Sequence, residues 1–253
     1  MARPDGERGA FEARRQAPEQ DPGRQAAHDL RQGGRQDARS RRDQRGLGRR
    51  HDGRVRAGRR VRRSLIPHLT TERLTLRPWR EADRAAFAAL NADPEVMHDF
   101  GATHTRDESD RKFDRYAATF DDVGYGRWVV EGSIDGTPPA FLGYTGIMPN
   151  REDDHPLGHH DDLGWRLRRE AWGHGFASEA ARASLQDAFT RVGLTEVVAY
   201  TAPDNVRSQA VMTRAGLRRD ESLDFDAHFD GIGMWHGLVW VAVQSQWPAA
   251  PSG

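Results

Sequence analysis

Between Arg169 and Phe189 the chain reads REAWGHGFASEAARASLQDAF, and this stretch limits the fold more than any other. Two glycines two apart, Gly173 and Gly175, stand directly before a run with no glycine or proline until Gly193. Ala177, Ala180, Ala181, Ser184, Leu185, Ala188 and Phe189 then recur at the helical period, which predicts a helix with one small-to-apolar stripe. A glycine turn leaves backbone N–H groups bare, and a helix start adds unpaired N–H groups and the positive end of a dipole. Such a turn either holds a phosphate group or merely reverses the chain. The remaining sequence has to decide between the two.

The segments on either side supply a sheet. LTTERLTLRPW (Leu69–Trp79) alternates, with Leu74 and Leu76 on one face, and predicts a first strand. Ala82, Ala86, Phe87 and Leu90 follow at helical spacing, Asp93-Pro94 opens a short helical turn, and residues 107–120 form a weaker helical pattern. RWVVEGSIDG and AFLGYTGIM, around Asp135-Gly136, predict an antiparallel hairpin. A polar stretch from Pro149 to His160 leads to the short strand DLGWRLR, which feeds the glycine turn. After the helix come a buried-type strand, Glu196–Thr201, and a helix capped by Asn205 and ended by Gly216. Two last strands are expected near Phe225–Phe229 and Met234–Val243. The order β-α-α-β-β-β-α-β-α-β-β predicts an α/β fold: one mixed sheet with helices on both faces.

Composition divides the chain of 253 residues. Residues 1–63 hold 19 Arg, no Lys and 9 acidic residues, a formal +10, and lack Ile, Trp and Tyr. Their apolar residues are scattered singly, so the segment is expected to be a disordered leader. It reads as a nucleic-acid-binding arm, a transit peptide, or translated sequence upstream of the true start. Residues 64–253 carry 19 basic and 29 acidic residues, a formal −10, and are expected to form the folded domain. That charge draws cationic amines and disfavours nucleic acid. There is no cysteine, which excludes disulfides, thiolate catalysis and Cys-ligated zinc. No apolar run approaches the roughly 18 residues of a membrane span, and no secretory h-region is present. A cytoplasmic protein without membrane contact, monomer or homodimer, is expected.

Taken in order, TERLTLRPWREAD, WGHGFASEA and PDNVRSQAVMTRAGL resemble the Gcn5-related N-acetyltransferase (GNAT) family. Within it they look most like the branch that acetylates ribosomal-protein N-termini and related amines. The likeness covers about residues 68–247. It implies that the turn Trp172-Gly173-His174-Gly175-Phe176-Ala177 and the helix start hold the pyrophosphate of acetyl-CoA. The family pattern carries Gln or Arg where Trp172 stands, so Arg168 or Arg169 is expected to supply the missing charge. Acyl-pantetheine is then expected between two splayed strands, Asp162–Leu167 and Val197–Thr201. A backbone N–H in that gap would polarise the thioester carbonyl. Leu167, Trp172 and Asn205 complete the expected cofactor contacts.

Acetyl transfer to an amine needs a proton taken from the ammonium and one given to the departing thiolate. The resemblance makes Ser208, of Asn205-Val206-Arg207-Ser208, the candidate acid; otherwise it only assists the Asn205 cap. Asp162 is the candidate base, provided burial raises its pKa; otherwise it is a solvated strand-entry residue. Glu131 and His160 are fallback bases. His155, His159 and His160 lie among Asp153, Asp154, Asp161 and Asp162, yet in a polar loop without fixed geometry, so no metal is expected. The implied activity is acetyl-CoA-dependent N-acetylation of a primary amine by direct attack. Rival readings are a non-catalytic acyl-CoA-binding protein of the same fold, or nucleic-acid binding through the leader. The acceptor stays open among protein N-terminus, polyamine, amino acid and aminoglycoside.

Overall fold

Leu74 and Leu76 do point the same way. In the computed structural model, which describes residues 66–229 and 233–247, both are buried. They lie on β2 (Leu74–Arg77), paired antiparallel with the short β1 (Leu69–Thr70). A 3-10 turn at Glu81–Asp83 leads into α1 (Arg84–Ala92), which buries Phe87 and Leu90. Asp93 then accepts hydrogen bonds from the N–H groups of Glu95 and Val96, and one 3-10 turn follows at His98–Phe100. α2 (Arg106–Val123) extends the expected 107–120 at both ends. At the start the reason is a capping box: the Thr105 hydroxyl accepts from the Glu108 N–H, and the Glu108 carboxylate accepts from the Thr105 N–H at 2.7 Å. At the end, left-handed Gly124 closes the helix with its N–H on the Phe120 carbonyl.

β3 (Arg127–Gly132) and β4 (Ala140–Asn150) form the expected hairpin. The polar stretch is shorter than expected. β4 runs on to Asn150 and β5 (His160–Leu167) starts at His160, with Asn150 opposite His160, so only residues 151–159 form the loop. A ladder needs backbone partners and not apolar side chains, so polarity alone misplaced both ends. α3 (Phe176–Asp187) follows the glycine turn and ends in a wider π-type turn at Ala188–Val192. β6 (Glu196–Thr201), α4 (Val206–Ala215), β7 (Arg218–Arg219), β8 (Phe225–Phe229) and β9 (Gly233–Val243) complete the domain. β7 has no sequence signal; it exists because Arg218 and Arg219 pair with Val241 and Trp240.

The strand order is β1-β2-β3-β4-β5-β6-β9-β7, with β8 paired to β9. Every pairing is antiparallel except β5 with β6, which is parallel and holds a single register pair, Asp162 with Val198. α3 is the crossover between those two strands. One core gathers Trp79, Phe87, Phe113, Tyr116 and Tyr144 with Phe176 and Ala180. Another joins Leu163, Ala181, Leu185, Phe189, Met212 and Trp240. α3 contributes to both, so its start is held in place along most of its length. The expected leader, residues 1–63, lies outside the described residues.

Candidate active site

The glycine turn is built as a bare backbone surface. Gly173 and Gly175 both have φ of 80°, a left-handed conformation that side chains disfavour. A Cβ on Gly173 would meet nothing within 4 Å, and on Gly175 only the Arg73 guanidinium, at 3.5 Å. Gly175 is the N-cap of α3 and supplies no side-chain acceptor, so among the described residues the N-cap makes no side-chain bond to the first turn. His174 stacks on Phe176, with ring centroids 5.3 Å apart and 12° between planes, and Phe176 is buried. That contact fixes where the turn meets the helix. Ala177 is half-buried beside it.

The two arginines expected to charge the turn both lie near carboxylates. Arg169 is committed to Asp93 (3.0 Å) and Glu95, and Arg168 stands 3.8 Å from Glu170. Arg73 is the cation at the turn. Its Nη1 donates to the His174 carbonyl at 2.9 Å, its Nε and Nη2 donate to Glu179, and its guanidinium lies 4.8 Å from the Phe176 ring centre. Arg73 lies 101 residues before His174, and no local spacing pointed to it. Glu179 is held below the usual carboxylate range: burial alone raises it, but hydrogen bonds from Thr71 and Arg73 outweigh that.

The gap beside the turn follows from strand pairing. Beyond Asp162 and Val198 no further register pair joins β5 to β6, whereas β5 stays paired to β4 as far as Leu167. The Leu167 carbonyl accepts from the Trp172 indole at 2.8 Å, which ties the end of β5 to the turn. Both α3 and α4 begin at the carboxyl ends of these two parallel strands, on the side where ligands enter open α/β sheets. Arg207, in the first turn of α4, reaches the glycine turn, with its guanidinium carbon 4.2 Å from the Trp172 ring centre. Asn205 caps α4 by accepting from the Ser208 N–H at 3.0 Å, and its amide donates to Asp99 at 2.6 Å. Ser208 is half-buried in the first turn of α4.

Asp162 stands at the closed end of the gap, ion-paired with buried Arg127. The same guanidinium donates to the Asp162 carbonyl at 2.9 Å, and a Cβ on Gly164 would press to 2.8 Å from it. Glu131 lies on β3, two strands from β5, and accepts from Arg77 at 2.8 Å. The three histidines, His155 and His159 in the loop and His160 at the start of β5, face different partners. His159 meets Asp153 at 2.8 Å, His160 Nδ1 lies 2.7 Å from the Gly158 carbonyl, and His155 Nδ1 accepts from the Leu157 N–H. Among the described residues they bring no three metal-ligating groups together. His155 and His160 instead pack with Tyr200, and His155 also with Phe225; burial pushes the His155 imidazole down and the Tyr200 phenol up.

A single parallel pair parts beside the glycine turn and the start of α3, and comparison with known proteins identifies the family that shares this fold. Residues 73–218 match the family model described as Acetyltransferase (GNAT) domain. The FsC-acetyl coenzyme A-N(2)-transacetylase of Aspergillus fumigatus is 34% identical over 162 residues, covering 62% of this chain and 67% of that protein. The crystal structure of an acetyltransferase from Agrobacterium tumefaciens superposes with a TM-score of 0.57 at 30% identity, over 73% of this chain and 99% of that one. Mycobacterium smegmatis RimJ, solved with CoA-disulfide, shares the fold with a TM-score of 0.54 at 20% identity, over 70% of this chain and 85% of that one. The chain belongs to the GNAT acetyltransferase family. It is an N-acetyltransferase, and acetyl-CoA is its co-substrate.

Proposed function

We propose that the chain transfers acetyl from acetyl-CoA to a primary amine, a protein N-terminus or a small molecule, by direct attack. The observation that carries this is the bare turn at Gly173 and Gly175, opening an uncapped α3 beside the gap between β5 and β6. Backbone N–H groups from His174 to Ala177 and the α3 dipole suit a pyrophosphate, with Arg73 bracing the turn through the His174 carbonyl and Trp172 closing it against Leu167. Acetyl-CoA, when bound, supplies an activated thioester. Ser208 gives a proton to the departing sulfur, and Asp162 takes one from the amine, directly or through a water. Arg127 orients the Asp162 carboxylate. Asn205 is the positioning residue for Ser208, because its cap sets the first turn of α4.

The domain that does this is residues 64–253, in the cytoplasm, and its branch is the one that acetylates ribosomal-protein N-termini and related amines. The RimJ likeness supports that branch, while the fungal relative's name, an N(2)-transacetylase, supports acetyl transfer to a nitrogen without fixing the acceptor. Among the described residues no helix is long and apolar enough to cross a membrane. An acetyl-CoA assay with thiol detection, run against N-terminal peptides, polyamines, amino acids and aminoglycosides, tests the reading. Thiol release should depend on at least one amine. Acetyl-CoA binding without amine-dependent release across the panel would overturn it.

A further inference from the structure

A cavity of about 430 Å³ opens beside the glycine turn, and its walls hold more cation than the turn itself uses. Gly175, Ser178, Glu179 and Arg182 line it from α3, at i, i+3, i+4 and i+7, so they share one helix face running away from the turn. Arg73 and Arg214 close it from two other elements. Arg73 is already neutralised by Glu179, which also accepts from Thr71 at 2.6 Å. Arg182 donates to the Arg214 backbone carbonyl, and among the described residues neither guanidinium has a carboxylate partner. Exposed Glu72, also in the wall, is the remaining opposing charge.

Ser178 gives an independent sign of a ligand. The residue is 9% exposed, lines this cavity, and its hydroxyl has no hydrogen-bond partner among the described residues. Buried hydroxyls are ordinarily satisfied, in helices often by the carbonyl four residues back. Here that carbonyl belongs to His174 and accepts from Arg73. A second cavity of about 160 Å³ shares Arg182 and Arg214 and adds Arg218 and Trp247, so the cationic wall continues past α4.

We propose that Arg182 and Arg214, helped by Ser178, form a subsite for the 3′-phosphate at the adenosine end of acetyl-CoA. The enzyme thereby distinguishes CoA thioesters from their 3′-dephospho forms. This rests on the reading that the turn at Gly173 and Gly175 holds the pyrophosphate. A ligand anchored there carries its ribose, and the dianionic group on it, into whatever adjoins the turn. The adjoining cavity offers two guanidiniums without carboxylates and one unused hydroxyl. Seven residues of helix separate Gly175 from Arg182, roughly 10 Å along the axis, within reach of a long side chain folding back.

Calorimetric titration of the full chain with acetyl-CoA and with 3′-dephospho-acetyl-CoA tests the subsite. The unaltered protein should bind acetyl-CoA about 10-fold tighter or more, the size of one charge-assisted contact. Arg182→Ala with Arg214→Ala should erase that preference while affinity for the dephospho form changes by about 2-fold at most. Ser178→Ala should lower the preference in the same direction by less. Equal affinity of the unaltered protein for both ligands would overturn the subsite and leave the pyrophosphate turn standing. So would a loss in the double variant as large for the dephospho form as for acetyl-CoA. Failure of either ligand to bind would overturn the turn reading and the subsite together. Gly175→Val separates the two ideas, since it should weaken both ligands alike.

Discussion

Gly175 is the residue on which the cofactor reading turns. At a φ of 80° it tolerates no branched side chain without strain, and a Cβ there sits 3.5 Å from Arg73. Acetyl-CoA at about 100 times its Kd should stabilise the native chain by roughly 2.7 kcal/mol. Gly175→Val should remove most of that gain, as read by thermal melting with and without ligand; an undiminished gain would place the pyrophosphate elsewhere. Ser208 and Asp162 separate by kinetics. Ser208→Ala should lower kcat by about 10- to 10⁴-fold with cofactor affinity nearly constant. Asp162→Asn, which keeps an acceptor for Arg127, should lower kcat/KM and shift or erase the acidic limb of its pH profile. Amines of lower pKa, already neutral at assay pH, should suffer less from it. Well-folded variants with ordinary rates and pH profiles would remove both roles.

At the level of elements, α2 depends on its start. Its sequence has few apolar residues, yet it packs Phe113 and Tyr116 against Trp79, with centroids 5.2 and 6.0 Å away. The Thr105–Glu108 box stabilises the open end of that helix. Thr105→Ala should cost about 1 kcal/mol, within the usual range of roughly 0.5–2. For a domain of this size that lowers the melting temperature by about 2–4 °C, and an unchanged midpoint would show that core packing alone holds the helix. α3 and α4 illustrate the reverse case. Their stripes and caps were legible as spacing, because Gly175, Asn205 and Gly216 act on neighbours a few residues away. β7 was not legible, since two arginines form a strand only when β9 offers them a ladder.

For the whole molecule, residues 64–253 are expected to fold without residues 1–63. Among the described residues the first strand of the sheet begins at Leu69. Deleting 1–63 should leave the melting midpoint within about 4 °C, the shift that roughly 1 kcal/mol produces. Loss of a cooperative transition on truncation would show that the leader belongs to the fold.

Sequence by itself determined the order of the four helices and the longer strands, the glycine turn, the cap at Asn205 and the C′ glycine at Gly216, together with the family resemblance the turn and the second helix carry. These are local: a periodicity or a cap is set by residues within one or two turns of each other. The break of the first strand into β1 and β2 and the existence of β7 were not among them. Tertiary structure decided which charges serve the site. Arg168 and Arg169, next to the turn in sequence, lie by Glu170, Asp93 and Glu95, while Arg73, in the bend just before β2, reaches the His174 carbonyl and Glu179. It also decided that Asp162 is bound by Arg127 and that Asn205 is tied to Asp99. Ion pairs between distant segments depend on how strands and helices are stacked. Long guanidinium side chains find whichever carboxylate that stacking brings near, and the order of residues along the chain does not encode that choice.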